Sequence, residues 1–274
     1  MVPDSPRHER PGIRVWVALV TMLLAGCASA PPHEMLNAVL WQQRAAEFRA
    51  LALQSYATAT ARLDEALATP SWSAALEQQP GASSLPPAVI LDLDETVIDN
   101  GRYEARIVRR LGEYSPESFA AWCEEGAAGA IPGAIEFLAA ARARGIAVFF
   151  YTAREEALRE CTARTLRAIG AGPVLQQSLF LRGAGDKAQI RARVAMTHRI
   201  VLLVGDNLED FVAGSKTDEA ARRAITDRHA QWFGRRWIML PNAVYGHWEA
   251  LYYGYDYRMP RSARLVRKQA VLDE

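Results

Sequence analysis

Short apolar runs recur along this chain, and segments with helical spacing separate them. The runs are rich in β-branched and aromatic side chains, which predicts buried β-strands. Strands of this kind alternating with helices are typical of a parallel sheet covered on both faces. The fold class is therefore predicted as α/β, with strands at residues 89–92, 146–151, 179–181, 199–204 and 237–240.

Helical periodicity predicts the elements that cover this sheet. The first helix is expected over about 33–69, because no Pro or Gly interrupts that stretch. Residues about 100–131 contain several aromatic side chains but no clear strand, so we expect a small, mostly helical, cap-like insertion there. The remaining predicted helices are residues 134–144, 155–169 and 186–194.

The first residues have the pattern of an export signal. A basic segment precedes an apolar stretch at residues 15–25, which is shorter than the roughly 20 residues that a spanning helix needs. We therefore expect residues 1–26 to be a signal peptide and residues 27–274 to be the mature domain. The basic segment contains Arg7, His8, Arg10 and Arg14.

The apolar stretch runs into Leu24-Ala25-Gly26-Cys27, which resembles the lipobox of bacterial lipoproteins. The resemblance implies a lipid on the Cys27 sulfur, palmitate among its acyl chains, and therefore a membrane anchor. Ala28 rather than Asp follows the cysteine, which implies export to the outer membrane. The alternative is a plain signal peptide with an incidental cysteine.

Composition and charge narrow the function classes. The chain has 274 residues, of which 50% are hydrophobic and 23% charged, with a formal net charge of +1. This is an ordinary globular balance, and so small a net charge gives no field that attracts nucleic acid. No nucleic-acid partner is expected, and the sequence leaves open whether the chain forms a homo-oligomer.

Two cysteines, Cys123 and Cys161, would remain in the mature domain besides Cys27. An oxidising compartment would permit a disulfide between them. Their Cα separation cannot be derived from sequence, so pairing stays open, and two ordinary buried thiols is the favoured interpretation.

Polar side chains follow several predicted strands at their carboxyl ends. Asp92 and Asp94 end the first strand, Thr152 follows the second, and Asp206 follows the fourth. Carboxyl ends of parallel strands meet at one edge, where open α/β sheets bind ligands. We therefore expect these side chains to converge. The competing interpretation of Asp92 and Asp94 is a solvated Asp-rich loop.

The converging residue types suit phosphoryl transfer. Asp92 is a candidate nucleophile, and Asp94 a candidate general acid and base. Thr152 offers a hydroxyl to a phosphate oxygen, and Lys187 offers a positive charge. Asp206 adds a hard oxygen ligand, and a few carboxylates together with a substrate phosphate are the usual environment of Mg²⁺.

Four motifs stand in the order of the haloacid dehalogenase (HAD) superfamily, which the chain resembles. The resemblance implies a HAD-like Rossmannoid sheet and Mg²⁺ held by the side chains of Asp92 and Asp206 and by the backbone carbonyl of Asp94. It also implies that Asp210 supports the metal ligands or Lys187. The motifs are Asp92-Leu93-Asp94-Glu95-Thr96, Thr152, Lys187 and Gly205-Asp206-Asn207-Leu208-Glu209-Asp210.

Further segments narrow this resemblance. They are Trp41-Gln42-Gln43, Asp99-Asn100, Ile131-Pro132-Gly133-Ala134, Asp210-Phe211, Leu240-Pro241-Asn242, Tyr245-Gly246 and Trp248-Glu249. Through them the chain resembles the outer-membrane lipoprotein e acid phosphatases, also called the lipoprotein e family of 5′-nucleotidases. That family implies acid phosphatase activity with a preference for nucleoside monophosphates. Its Ser-Asn-Arg motif is here Thr152-Ala153-Arg154, which keeps the hydroxyl and the arginine and loses the amide.

Four side chains are candidate substrate contacts: Arg154 and the aromatic residues Phe119, Trp122 and Tyr245. Aromatic faces bind nucleobases without strong sequence preference. The competing interpretation is that the aromatic residues of the insertion form its own small core. Two rival functions stay open. One is a broad-specificity class B-like phosphatase or phosphotransferase, and the other a non-catalytic surface lipoprotein on the same fold.

Overall fold

A five-stranded parallel sheet lies at the centre of the computed structural model, which describes Met1 and residues 33–273. The predicted signal segment that follows Met1, including Cys27, lies outside the described residues. The strands are β1 (Pro87–Asp92), β2 (Ile98–Asp99), β3 (Gly129–Ala130), β4 (Ala147–Tyr151), β5 (Leu179–Phe180), β6 (Arg199–Gly205) and β7 (Trp237–Met239).

The order across the large sheet is β5-β4-β1-β6-β7. Leu91 of β1 pairs with Phe150 on one side and with Val204 on the other. The most apolar strands, β1 and β6, therefore lie in the middle, where both faces of the sheet are covered. The predicted parallel α/β sheet is confirmed, and its carboxyl ends meet at one edge.

Helices cover both faces of this sheet, and residues alternate between two cores because strand side chains alternate. Val89 and Leu91 pack with α2, α5 and α6, whereas Ala88 and Ile90 pack with α7. The helices are α1 (Leu36–Arg44), α2 (Ala46–Ala68), α3 (Gly101–Arg109), α4 (Pro116–Glu125), α5 (Ala134–Ala143), α6 (Arg159–Ala168), α7 (Lys187–Ala195), α8 (Glu219–Arg228), α9 (His247–Ala250) and α10 (Arg261–Gln269).

The single long helix predicted over about 33–69 is in fact two helices. Ala45, between α1 and α2, is extended with ψ of 131°. The break lets the two parts reach different partners: Gln43 of α1 donates to the Gly101 carbonyl at 2.7 Å, while Phe48 of α2 lies in the main core. Sequence could not reveal it, since Ala45 is itself a good helix former.

Helices α3 and α4 form the insertion between β1 and α5. The antiparallel pair β2–β3 closes its base, with Ile98 opposite Ala130. Above that base, the two helices share a small aromatic and aliphatic core. Its buried members are Tyr103, Ile107, Phe119 and Trp122.

A buried arginine joins α7 to the end of β6. Arg191 is fully buried, and its guanidinium binds the Glu77 carboxylate at 2.8 Å. The same group donates to the carbonyls of Glu209 and Asp210, each at 3.1 Å. Because a buried charge must be satisfied by several partners, this contact fixes α7 against the loop after β6.

The two cysteines of the domain form a disulfide, so the favoured expectation of two buried thiols is wrong. Cys123 lies on α4 and Cys161 on α6, and their Cα atoms are 5.6 Å apart. They are 38 residues apart in sequence, and only the packing of the insertion on the core brings them within bonding range.

No helix among residues 33–273 is both long enough and apolar enough to cross a bilayer.

Candidate active site

The nucleophile candidate lies at the carboxyl end of the central strand β1. The Lys187 ammonium donates to Asp92 Oδ1 at 2.6 Å, and Asp92 is 5% exposed. Lys187 is the first residue of α7, which Asp186 caps by accepting a hydrogen bond from the Gln189 backbone at 2.7 Å. Within residues 33–273, no donor contacts the second oxygen of Asp92, which leaves that oxygen available to react.

Asp210 orients this lysine. Its carboxylate is fully buried and accepts a hydrogen bond from Lys187 through Oδ1. Its other oxygen accepts from the Asn207 backbone N–H at 2.8 Å. Gly205 makes this approach possible, because a Cβ at that position would lie 2.2 Å from Asp210 Oδ2. Of the two roles that the resemblance implied for Asp210, the geometry places it on Lys187.

The acid/base candidate Asp94 lies beyond the end of β1 and contacts a buried arginine. Arg154 Nη2 donates to Asp94 Oδ1 at 2.7 Å, and the arginine side chain is 2% exposed. Thr152 Oγ1 donates to Asp94 Oδ2 at 3.1 Å, and Asn100 Nδ2 donates to Oδ1 at 2.8 Å. Thr152 and Arg154 were predicted to contact substrate, and here they hold Asp94.

Asp206 follows β6 and faces the same edge. Asn242 Nδ2, just beyond β7, donates to Asp206 Oδ2 at 2.7 Å. Thr96 Oγ1 donates to Asp206 Oδ1 at 3.3 Å. The polar residues that follow β1, β4, β6 and β7 therefore form one cluster, as the convergence of strand ends predicted.

Burial and neighbouring charges raise the pKa values of Asp92 and Asp206, and neighbouring charges raise that of Lys187. Burial raises the pKa of Asp92 well above its ordinary value; Lys187 opposes this, and Asp210 and Asp206 add to it. Burial, followed by the Asp210 charge, raises the pKa of Asp206 to about 7. Burial lowers the pKa of Lys187, but Asp210 and Asp92 more than offset it, so the lysine stays charged.

Asp94 shows the opposite shift. Burial by itself would raise its pKa, but the charge and hydrogen bonds of Arg154 outweigh burial and hold the pKa below its ordinary value. The pKa values of Asp92 and Asp94 are thus shifted in opposite directions. Without a cation these shifts favour a protonated Asp92 and an ionised Asp94, so a nucleophilic Asp92 would need positive charge beyond that of Lys187.

The donor set at this edge fits a small, hard divalent cation. Among residues 33–273, Lys187 is the one ammonium that contacts Asp92 and Asp210. Burial first, and then the charge of Asp210, raises the pKa of Asp206 although Lys187 opposes the shift. In the described part of the chain, no three His, Cys, Asp or Glu side chains are grouped so that they alone would hold a metal. The resemblance implies that a cation would use Asp92, Asp206, the Asp94 carbonyl and oxygens from solvent or substrate.

The aromatic candidates occupy three different environments. Trp122 is buried and donates from its indole N–H to Asn100 Oδ1 at 3.0 Å, so it supports a partner of Asp94. Phe119 lies 5.1 Å from the guanidinium of Arg154. Tyr245 is half-buried, and its hydroxyl donates to buried Glu95. A stacking role for any of the three stays a prediction.

Four residues that contact the site were not predicted from the sequence: Asn100, Asn242, Thr96 and Glu95. The first three hold the carboxylates of Asp94 and Asp206, and the fourth holds Tyr245. Asn242 could have been found, because it follows a predicted strand at the same carboxyl edge. Glu95 lies in the turn after β1, and Asn100 follows β2 of the two-stranded sheet, so their contacts depend on the path of the chain after β1.

A cavity of about 760 Å³ opens beside this cluster, between α8, α9 and α10. Asp206, Asn207 and Trp248 line it, but Asp92 and Asp94 do not. We place the chemistry at the strand ends rather than in this larger space, because the perturbed carboxyl groups and the lysine are there.

The fold and the strand-end cluster define a HAD-like phosphotransfer enzyme. Residues 24–248 match the family described as HAD superfamily, subfamily IIIB (Acid phosphatase). The chain belongs to this family and is a phosphoric monoester hydrolase of the acid phosphatase type.

Two solved structures from Bacillus anthracis are similar over most of the chain. The structure of the class C acid phosphatase is 31% identical, with a TM-score of 0.80, covering 88% of this chain and 98% of that one. A crystal structure of a class C acid phosphatase with tungstate bound is 30% identical, with a TM-score of 0.79 and the same coverage. The resemblance to class C, lipoprotein e type phosphatases is thereby confirmed.

The carboxyl cluster predicts a pH-dependent stability in the absence of metal. Because the folded pKa of Asp206 is about 7 and its ordinary value is 3.8, folding takes up a proton between these values. The contribution of this protonation to the free energy of unfolding is therefore fully present below pH 3.8, and it is lost as the pH rises through about 7. In chelator, the thermal unfolding midpoint should therefore decrease as the pH rises from about 4 to about 7.

Asp206→Asn should reduce this fall, and added Mg²⁺ should raise the midpoint of the wild type at the higher pH but not that of the variant. Asp227→Asn, a change of an exposed carboxylate on α8, is the control. An unchanged pH slope in Asp206→Asn would contradict the charge assignment.

Proposed function

We propose that this chain is a Mg²⁺-dependent acid phosphatase that hydrolyses nucleoside 5′-monophosphates through an aspartyl-phosphate on Asp92. The observation that carries the proposal is the contact between Lys187 and Asp92 Oδ1 at 2.6 Å, with the second oxygen free of donors among residues 33–273. A carboxylate fixed by one oxygen presents the other to an electrophile in a defined direction.

In the first step, Asp92 attacks phosphorus and the bond to the leaving oxygen breaks. The leaving oxygen needs a proton, and Asp94 is the proposed donor. Because Arg154 keeps the pKa of Asp94 low, the proton must arrive with the substrate. A phosphate monoester loses its second proton at a pKa of about 6, so the monoanion present in mild acid can deliver it.

In the second step, Asp94 accepts a proton from water, and the resulting hydroxide attacks the phosphorus of the aspartyl-phosphate. Phosphate leaves and the Asp92 carboxylate is restored. Lys187, held by Asp210, remains charged and stabilises the phosphoryl oxygens in both steps.

A divalent cation on the oxygens of Asp92 and Asp206 and the Asp94 carbonyl would offset the repulsion between these carboxylates and an anionic substrate. The relative from Bacillus anthracis binds tungstate, an oxyanion similar to phosphate. That likeness supports the proposal that this chain also binds a tetrahedral oxyanion.

Nucleoside preference rests on Tyr245. Its hydroxyl bond to buried Glu95 fixes the orientation of the ring, and an oriented, half-exposed ring offers a face to a nucleobase. Broad specificity without nucleoside preference is the alternative.

We also propose a lipid anchor on Cys27 and an outer-membrane location, on the grounds of the lipobox and of Ala28 after it. In cells supplied with labelled palmitate, the full chain should carry the label and Cys27→Ser should not. Ser29→Ala is the control and should keep the label. Equal labelling of Cys27→Ser would exclude the anchor.

Replacing the nucleophile tests the mechanism. Asp92→Asn keeps the shape of the side chain but removes its nucleophilic charge, so turnover should fall at least about a thousandfold. Folding is checked by thermal unfolding, and Asp227→Asn is the surface control. Residual activity near the wild-type level would exclude Asp92.

Chelation should also abolish turnover, and Mg²⁺ should restore it.

Replacing Tyr245 tests the substrate class. Tyr245→Ala should raise KM for nucleoside 5′-monophosphates by about tenfold, because base stacking contributes about 1–3 kcal/mol per base. KM for simple sugar phosphates should not change. Tyr245→Phe keeps the ring and loses the bond to Glu95, so it should retain most of the preference. Equal effects on both substrate classes would favour the broad-specificity alternative.

A further inference from the structure

The disulfide lies against the arginine that holds Asp94. Arg154 Nη1 donates to Thr162 Oγ1 at 3.1 Å and lies 3.5 Å from Cys123 Sγ. Thr162 follows Cys161 in α6, so the arginine contacts both sides of the covalent link between α4 and α6.

The remaining neighbour of this guanidinium also comes from α4. Phe119 lies one helical turn before Cys123, on the same face, and its ring centre is 5.1 Å from the guanidinium carbon. One edge of Arg154 thus binds Asp94, at 2.7 Å, while its other contacts come from the two helices that the disulfide joins.

Besides the disulfide, a surface ion pair joins these two helices. An ion pair between Arg164 of α6 and Glu124 of α4 is exposed on both sides, and such pairs contribute little. The contacts of Arg154 with Cys123 and Phe119 exist only while α4 stays on α6, whereas its bonds to Thr162 and Asp94 do not involve α4. The insertion also joins the rest of the domain through α3, which contacts α1, and through the β2–β3 pair.

We propose that the Cys123–Cys161 disulfide, with Thr162 and Phe119, is a positioning device for catalysis. It keeps α4 on α6, so that Arg154 has one orientation and presents Asp94 to the leaving-group oxygen. This inference rests on the proposed acid role of Asp94. Loss of the disulfide should impair proton donation selectively, and should spare the attack by Asp92 and the phosphate contacts of Lys187.

Leaving groups of different basicity separate positioning from general loss of structure. An alkyl ester such as a nucleoside 5′-monophosphate needs a proton on its leaving oxygen, whereas 4-nitrophenyl phosphate releases a stable anion without one. The quantity compared is kcat/KM, which reports the transfer to Asp92 and is unaffected by the later hydrolysis step.

The full-length double variant Cys123→Ser/Cys161→Ser should lose about tenfold or more in kcat/KM for the alkyl ester, as expected for an impaired general acid. The loss for the nitrophenyl ester should be less than about twofold. Reducing the wild type with dithiothreitol should give the same pattern. The dithiol supplies two electrons and two protons, yielding two protein thiols and its own cyclic disulfide. Dithiothreitol should leave the double variant unchanged.

Two comparison variants make the outcome decisive. Leu166→Ala, in the core of α6 away from Arg154, should lower thermal stability and reduce both esters alike. Thr162→Val keeps the disulfide and removes one partner of Arg154, so it should reproduce the selective loss in part.

Asp94→Asn separates a failure of this inference from a failure of the proposed function. If Asp94→Asn affects both esters equally, Asp94 is not the acid, and the proposed mechanism falls. If Asp94→Asn is selective while the double variant and the reduced wild type lower both esters in parallel or not at all, the positioning role of the disulfide is overturned and the mechanism stands.

Discussion

The main constraint on this structure is that several carboxylates are buried together at the carboxyl edge of the parallel sheet. Asp92, Asp206 and Asp210 lie together in an environment that raises the pKa of the first two, with Lys187 as the ammonium that contacts Asp92 and Asp210. Such a cluster opposes folding unless the rest of the molecule holds it. The buried strands β1 and β6, the capped start of α7 and Arg191 supply that rigidity.

A second set of charges, Asp94 and Arg154, lies beside this carboxylate cluster. Arg154 binds Asp94 and lowers its pKa, whereas burial raises that of Asp92. The two carboxyl groups therefore favour opposite protonation states although only Leu93 separates them in the chain. The insertion takes part in this separation, because Asn100, Trp122 and Phe119 all support the Asp94 side.

Structure could be predicted from sequence where a local pattern is compatible with only one conformation. The apolar runs had to be buried strands, and polar residues after parallel strands had to meet, so the confluence of Asp92, Asp94, Thr152 and Asp206 could be predicted. The prediction was wrong where several conformations have similar local energy. The stretch around Ala45 is helical by propensity, yet α1 and α2 separate there to reach different partners. The sequence pattern also gave no prediction of α8, between β6 and β7, or of α10, after β7.

By itself, the sequence determined the fold class, the edge of the sheet at which polar side chains gather and the types of those side chains, because hydrophobic periodicity and strand direction are properties of the chain. Only the tertiary structure decided what each polar side chain contacts. It turned Thr152 and Arg154 toward Asp94, placed Asp210 on Lys187, brought Asn242 to Asp206 and joined Cys123 to Cys161. Those pairings depend on distances of a few ångströms between segments far apart in the chain, which packing sets and local pattern does not encode.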